Sequence, residues 1–125
     1  MAERKNIILE LGVEFALSIM QYCNLLEEQK HFVIANQLLK SGTSIGANIH
    51  EAQSAESIID FIHKLKIADK EAVETEYWLK LCHLSKDYPD TSNLDDKLEE
   101  IRRLLNAIIS KTKKKIAQQT QNDKK

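Results

Sequence analysis

The chain has little of what turns and sheets consume. Its 125 residues include three Gly and one Pro, far below the usual share of about 7% and 5%. Antiparallel sheets need a turn every few residues, and turns draw on Gly, Pro and Asn. An all-β sandwich or barrel is thereby excluded. Cysteine is scarce as well. Cys23 and Cys82 form no CxxC pair, so neither a disulfide framework nor a zinc ribbon nor a thioredoxin motif can be read from them. Both fall at apolar positions of helical patterns, where a buried free thiol is the simple expectation. No uninterrupted apolar run approaches the ~18 residues that suggest a membrane span. The opening Met1–Asn6 leads into Ile7-Ile8-Leu9-Glu10-Leu11, and charge breaks that run too early for a signal peptide. The expectation is a cytoplasmic protein with no membrane partner.

What is present points to helices. With 42% hydrophobic residues the chain is too apolar for intrinsic disorder, and its length suits one domain with one core. Net charge is −1 but uneven. Residues 1–110 hold 12 Lys/Arg and 18 Asp/Glu, giving −6, and residues 111–125 hold 6 Lys and one Asp, giving +5. An acidic body with a basic end is the electrostatic feature to explain.

Apolar residues recur at spacings of three and four, which places them on single helix faces. The first stripe is Ile8, Leu11, Phe15, Ile19, Tyr22 and Leu26, in a helix expected over 4–28. The second is Ala35, Leu38, Gly42, Ile45, Ile49 and Ala52, over 32–54. Its middle, Ser41-Gly42-Thr43-Ser44-Ile45-Gly46-Ala47, is unusual, because each Gly inside a helix costs about 1 kcal/mol relative to Ala. Gly42 and Gly46 lie one turn apart and open a flat groove for a close helix neighbour. The competing reading is an open loop over 41–46. The third stripe runs through Ile58, Phe61, Leu65, Ala68, Ala72, Thr75, Leu79 and Cys82, over 57–87, with Ser57 and Asp60 as a capping arrangement. It stops before Pro89. The fourth, Leu94, Leu98, Ile101, Leu105 and Ile108, fills 93–116. Short connections make consecutive helices antiparallel, so the expected fold is all-α, an up-down-up-down four-helix bundle over 1–117, followed by a disordered tail, 118–125.

Measured from Leu65, Ile67, Trp78 and Leu81 fall on the far side of the third helix. One bundle has one core, so this second apolar set is expected to face another copy of the chain. Catalytic chemistry is harder to find. His31, His50, His63 and His83 are scattered, and none makes HExxH. Asp60-Phe61-Ile62-His63 is one acidic-x-x-His pair without the mate that bundle metal sites need, so a site from His50, Glu51 and His63 is disfavoured. No nucleophile has a recognisable setting. The expectation is a non-enzyme with no catalytic residue, metal or cofactor. Asn48 and Glu51, three residues apart, are expected to be buried and hydrogen-bonded, holding the end of the second helix. The Lys-rich end, Lys111, Lys113, Lys114 and Lys115, together with Lys40, is the candidate nucleic-acid contact. It offers phosphate attraction but no aromatic residue to stack on bases.

Ser44-Ile45-Gly46-Ala47-Asn48-Ile49-His50-Glu51 resembles the S-I-x-A-N-I-x-E motif of the 23S rRNA intervening-sequence-encoded proteins, also called the four-helix-bundle protein family. Asp60-Phe61-Ile62-His63-Lys64-Leu65-Lys66-Ile67-Ala68 is similar to that family's D-F-x-x-x-L-x-I-A stretch. The resemblance spans most of 7–110. It implies a homopentamer of antiparallel bundles and no enzyme activity. It also implies kinship with an accessory protein of diversity-generating retroelements that engages a reverse transcriptase and RNA. Two departures stand out. Ala52 replaces a common Gly after the motif's Glu, and Lys40 stands where Arg is frequent before the motif.

Overall fold

The computed structural model describes residues 6–124. Four helices follow one another: α1 Ile7–Glu28, α2 Phe32–Ala52, α3 Ile58–Leu84 and α4 Ser92–Asp123. Among the described residues there is no strand. Residues 4 and 5, expected in the first helix, lie outside the described range. Asn6 caps α1 by accepting from the Leu9 amide.

Each helix packs along two neighbours, in the ring α1–α2–α3–α4–α1. Pairings across the seams fix the directions. Gly12 meets Gly46 while Ile19 meets Gly42. Ser41 bonds Thr75, and Lys64 reaches Glu51. Lys97 reaches Ser18, and Tyr22 reaches Pro89. In each seam one number rises as the other falls, so all neighbours are antiparallel. The core is the union of the expected stripes, with Phe15, Ile19, Leu38, Ile45, Leu65, Leu79, Leu98 and Leu105 fully buried.

The connections explain where the helices stop. Lys30 has φ of 66°. Its amide donates to Glu27 and that of His31 to Leu26, the bond pair of a Schellman ending. Lysine fills a position where glycine is usual. Ser57 accepts from the Asp60 amide at 3.0 Å, and Asp60 accepts in return from the Glu56 amide at 3.2 Å. The return bond goes to the amide before the N-cap rather than to that of Ser57, so this is a variant of the capping box with Asp in the Glu role. The α3–α4 loop turns through Asp87 at φ 67°. Two contacts pin it: Tyr22 donates to the Pro89 carbonyl at 2.8 Å, and Tyr88 stacks on His31 with ring centres 4.0 Å apart.

One expectation needs correction here. The 118–125 tail is not disordered over its described part, because α4 continues to Asp123. No Gly or Pro follows Pro89, Ile116 packs against the core, and Thr120 closes back on the Ile116 carbonyl at 2.9 Å. The end of an apolar stripe is not a helix stop signal. By length and composition alone α1 would suffice to cross a membrane, although Glu10 and Glu14 keep its first half from forming one uninterrupted apolar run. In this fold its Ile8, Phe15, Ile19 and Leu26 face is the bundle core.

Candidate interaction surfaces

The α2 segment from Ser41 to Ala52 is where sequence chemistry and close packing coincide. Gly42 and Gly46 lie inside the helix. A Cβ at Gly46 would meet the Gly12 carbonyl oxygen at 2.9 Å, and one at Gly42 would meet the Ile19 side chain at 2.8 Å. The backbones of α1 and α2 therefore touch at Gly12 and Gly46, and a side chain at either would separate them. Open-loop geometry over 41–46 is absent. One turn further in, Ser41 and Thr75 are hydrogen-bonded at 3.0 Å in a buried setting. Each is also bonded to a carbonyl of its own preceding turn, Leu38 and Glu71. Beside them, burial raises the Glu71 carboxyl above its usual range, with Glu74 adding to the effect and Lys40 opposing it.

Asn48 and Glu51 depart from expectation. Asn48 is half-buried and donates to the Ser44 carbonyl of its own helix at 2.8 Å. Glu51 is not buried. Its side chain is 60% exposed and meets Lys64 at 3.5 Å. The i, i+3 spacing places Glu51 on the outer shoulder of α2, and the next helix offers it only a lysine. Asn48 ties down its own turn, and Gln53, donating to Ile49 and accepting from Asn6, holds the helix end instead.

Ile67, Trp78 and Leu81 are half-buried rather than outward. The physical reason is angular. The buried stripe runs from Ile62 at one edge to Cys82 at the other, and its centre falls near Ala72 and Leu79, about 35° from Leu65. Measured from that centre Trp78 sits about 100° away, in the α2–α3 seam. It packs against the core and takes an edge-on contact from Tyr77 at 5.1 Å. Its indole N–H is buried with no acceptor among the described residues. Trp78, Tyr88 and the first residues of α2, Phe32 to Ile34, line an open groove with Lys30 and His31 at its rim. Beyond that groove, the large apolar side chains that face solvent include Val13, Leu17 and Met20 on α1, and Val73, Tyr77 and Leu84 on α3. The first three are spaced by four and three, a pattern readable from sequence, yet hidden there because α1 is apolar nearly all round.

The candidate basic residues divide into two places. Lys111, Lys113, Lys114 and Lys115 are exposed on α4. Lys113 lies beside Lys66 of α3, whose hydrogen bond and charge hold its ammonium below the usual lysine range. Lys40 is not gathered with them. It is exposed on α2, near enough to Glu71 to oppose that carboxyl's rise. Sequence reasoning also missed the ion-pair cluster between α3 and α4. Arg102 holds Asp69 at 3.0 Å and Glu76 at 2.8 Å, and Asn106 reaches Asp69 at 3.4 Å. The three partners come from two helices, so no local spacing announces them. Among the described residues no three His, Cys, Asp or Glu side chains are grouped to hold a metal ion.

The architecture is that of an antiparallel four-helix bundle joined by a glycine contact between its first two helices, with no described cluster of catalytic type. Residues 4–107 match the family of 23S rRNA-intervening sequence proteins. The chain belongs to that family. No curated protein matches it. Among solved structures it is similar to a protein with unknown function from the S23 ribosomal protein family of Bacteroides thetaiotaomicron VPI-5482. The two are 46% identical, with a TM-score of 0.74, over 82% of this chain and 97% of that one.

Proposed function

We propose that the protein is a non-enzymatic, self-associating scaffold that docks a protein partner. The observation that carries this is the α1 stripe of Val13, Leu17 and Met20, large apolar side chains each about half exposed on a face no other helix covers. Fully burying a large apolar side chain contributes roughly 1.5–3 kcal/mol, and a second copy would supply about half of that for each of these half-exposed residues. The family resemblance argues for five copies. Ile67, Trp78 and Leu81, half-buried already, have less area to contribute than this stripe. The free buried thiols of Cys23 and Cys82 suit the reducing cytoplasm.

Light scattering at micromolar concentration tests the assembly. A pentamer mass is expected, and Leu17→Lys should lower it. A wild-type monomer mass, or an oligomer indifferent to Leu17→Lys and Val13→Glu, would reject the reading for this face.

A second reading is favoured by one feature, the extension of α4. It carries Lys111, Lys113, Lys114 and Lys115 on a helix and sets Lys113 against Lys66, so that an anion beside the pair would relieve their repulsion. On this reading the protein is an accessory that contacts RNA, alone or with a reverse transcriptase, and several basic ends in one assembly would add their weak phosphate contacts. Co-purifying RNA released by a salt titration would support it. Absence of binding at low salt would exclude it.

A further inference from the structure

The outward sides of α1 and α3 carry complementary patterns. On α1, Glu10, Val13, Leu17, Met20, Asn24 and Glu27 are all exposed. Their spacings of three and four align them in one stripe, across the helix from the buried Ile8, Phe15, Ile19 and Leu26. The stripe is apolar in the middle and acidic at both ends. Glu14 and Glu28 lie beside it, and from Ile7 to Glu28 the chain has no lysine or arginine. On α3, Lys66, Lys70, Val73, Tyr77, Lys80 and Leu84 are likewise exposed. They too follow spacings of four and three, across the helix from the buried Leu65, Ala72 and Leu79. This stripe holds three lysines and no acid. Of its flanking carboxylates, Asp69 and Glu76 are held by Arg102, and Glu74 lies on the α2 side. Like stripes do not fit one another. A two-fold contact centred between Leu17 and Met20 would set Glu10 against Glu27 at both ends. One centred between Val73 and Tyr77 would set Lys70 against Lys80. Like charges placed opposite one another disfavour such contacts.

We infer that the α1 stripe of one copy packs on the α3 stripe of the next, joining copies head to tail. Seating Val13 and Leu17 against Val73 and Tyr77 brings Glu10 to Lys70 if the two helices run parallel, and to Lys80 if they run antiparallel. Either direction buries apolar side chains that are about half exposed in one copy and pairs an acid with a base. The ring of helices puts α1 and α3 at diagonal corners, so the stripes look out from opposite sides of the bundle and one chain cannot pair its own. A contact between unlike faces builds rings or filaments rather than two-fold dimers. The inference rests on the self-association reading and names the surface on which the α1 face lands.

The test follows the mass of the full chain by light scattering at low salt, with circular dichroism to check that each variant keeps its helices. Tyr77→Lys should lower the assembled mass, as Leu17→Lys does. Each of these variants spoils one stripe and keeps the other, so their equimolar mixture should form a dimer and stop there. A contact between like stripes would give no new species on mixing. The charges are tested by reversal, at side chains that are exposed in the single copy. Lys70→Glu together with Lys80→Glu should raise the concentration needed for half-assembly about tenfold or more. Glu10→Lys alone should act in the same direction. Adding Glu10→Lys to the double variant should recover most of the loss, and high salt should shrink all three differences. An unchanged mass in Tyr77→Lys, a mixture that stays monomeric, or a triple variant no better than the lysine double would overturn the inference. A mass lowered by Leu17→Lys but not by Tyr77→Lys rejects this pairing and keeps self-association through α1. A wild-type monomer rejects both.

Discussion

At the residue scale, the buried polar groups are where single substitutions should speak most clearly. Thr75 and Ser41 satisfy one another inside the α2–α3 seam. Thr75→Val removes one partner, and a loss of about 1 kcal/mol is expected in urea unfolding. Ser41→Ala should cost a similar amount, and the double variant less than the two together, because it leaves no orphaned hydroxyl. Strict additivity would show that the pair does not interact. Three titratable groups lie near one another close by. Burial pushes the Cys23 thiol up to about 12, with Glu27 and Cys82 adding to it. Burial likewise raises Cys82 and the Tyr22 phenol. In each case the folded state holds its proton more tightly than the unfolded chain. Their stabilising contribution is therefore complete below about pH 8.5, the free thiol range, and is lost as pH rises toward the folded values. Thermal unfolding between pH 8 and 11 should show a falling midpoint, with a shallower fall in Cys23→Ala. A pH-independent midpoint would contradict the burial. Burial of both cysteines was legible from their place on apolar stripes. The exposure of Glu51 was not, because a three-residue spacing says which shoulder a side chain takes but not what stands opposite.

At the element scale, two positions set how the helices meet and end. Gly46 lies against the Gly12 carbonyl, which is backbone and cannot move without its helix. Gly46→Ala would gain about 1 kcal/mol of helix propensity. The contact should outweigh that gain, since overpacking costs typically 1–3 kcal/mol, and Gly46→Leu should cost more. Gly42→Ala meets the Cγ1 and Cγ2 of fully buried Ile19 at 2.8 and 2.9 Å and should be destabilising as well. A Gly46→Ala variant with an unchanged or raised denaturant midpoint would refute the backbone-contact account. Lys30 ends α1 in left-handed backbone, where a side chain costs roughly 1–2 kcal/mol that glycine avoids. Lys30→Gly should raise stability by up to about 1 kcal/mol, since part of the relief is offset by the freer unfolded chain. A destabilised Lys30→Gly would mean that the lysine side chain holds the turn.

At the scale of the whole molecule, the bundle closes around one core and still leaves apolar side chains in water. Val13, Leu17 and Met20 run along one outer face, while Val73, Tyr77 and Leu84 lie on another helix. If α1 forms the main self-contact, Leu17→Lys should reduce the assembled mass. Tyr77→Lys should reduce it as well if α3 is the other half of that contact, and light scattering on the two variants distinguishes the faces. An effect of Tyr77→Lys alone would move the contact to α3.

The local periodicities by themselves determine most of this architecture. Spacings of three and four located all four helices. Pro89 bounded the third, Ser57 opened it, and two glycines one turn apart marked the close helix contact. These signals were readable because a helix is a local object, with faces determined by residues three and four apart. What tertiary structure decided was what each face meets. It put Trp78 in a seam rather than in water, because the centre of the α3 stripe depends on where α2 and α4 stand. It carried α4 to Asp123, because its end lies against another helix and nothing in the chain breaks it. It joined Arg102 to Asp69 and Glu76, and it brought Lys30, Phe32, Val33, Trp78 and Tyr88 to one groove. Those pairings link residues tens of positions apart, and only packed helices bring such residues together.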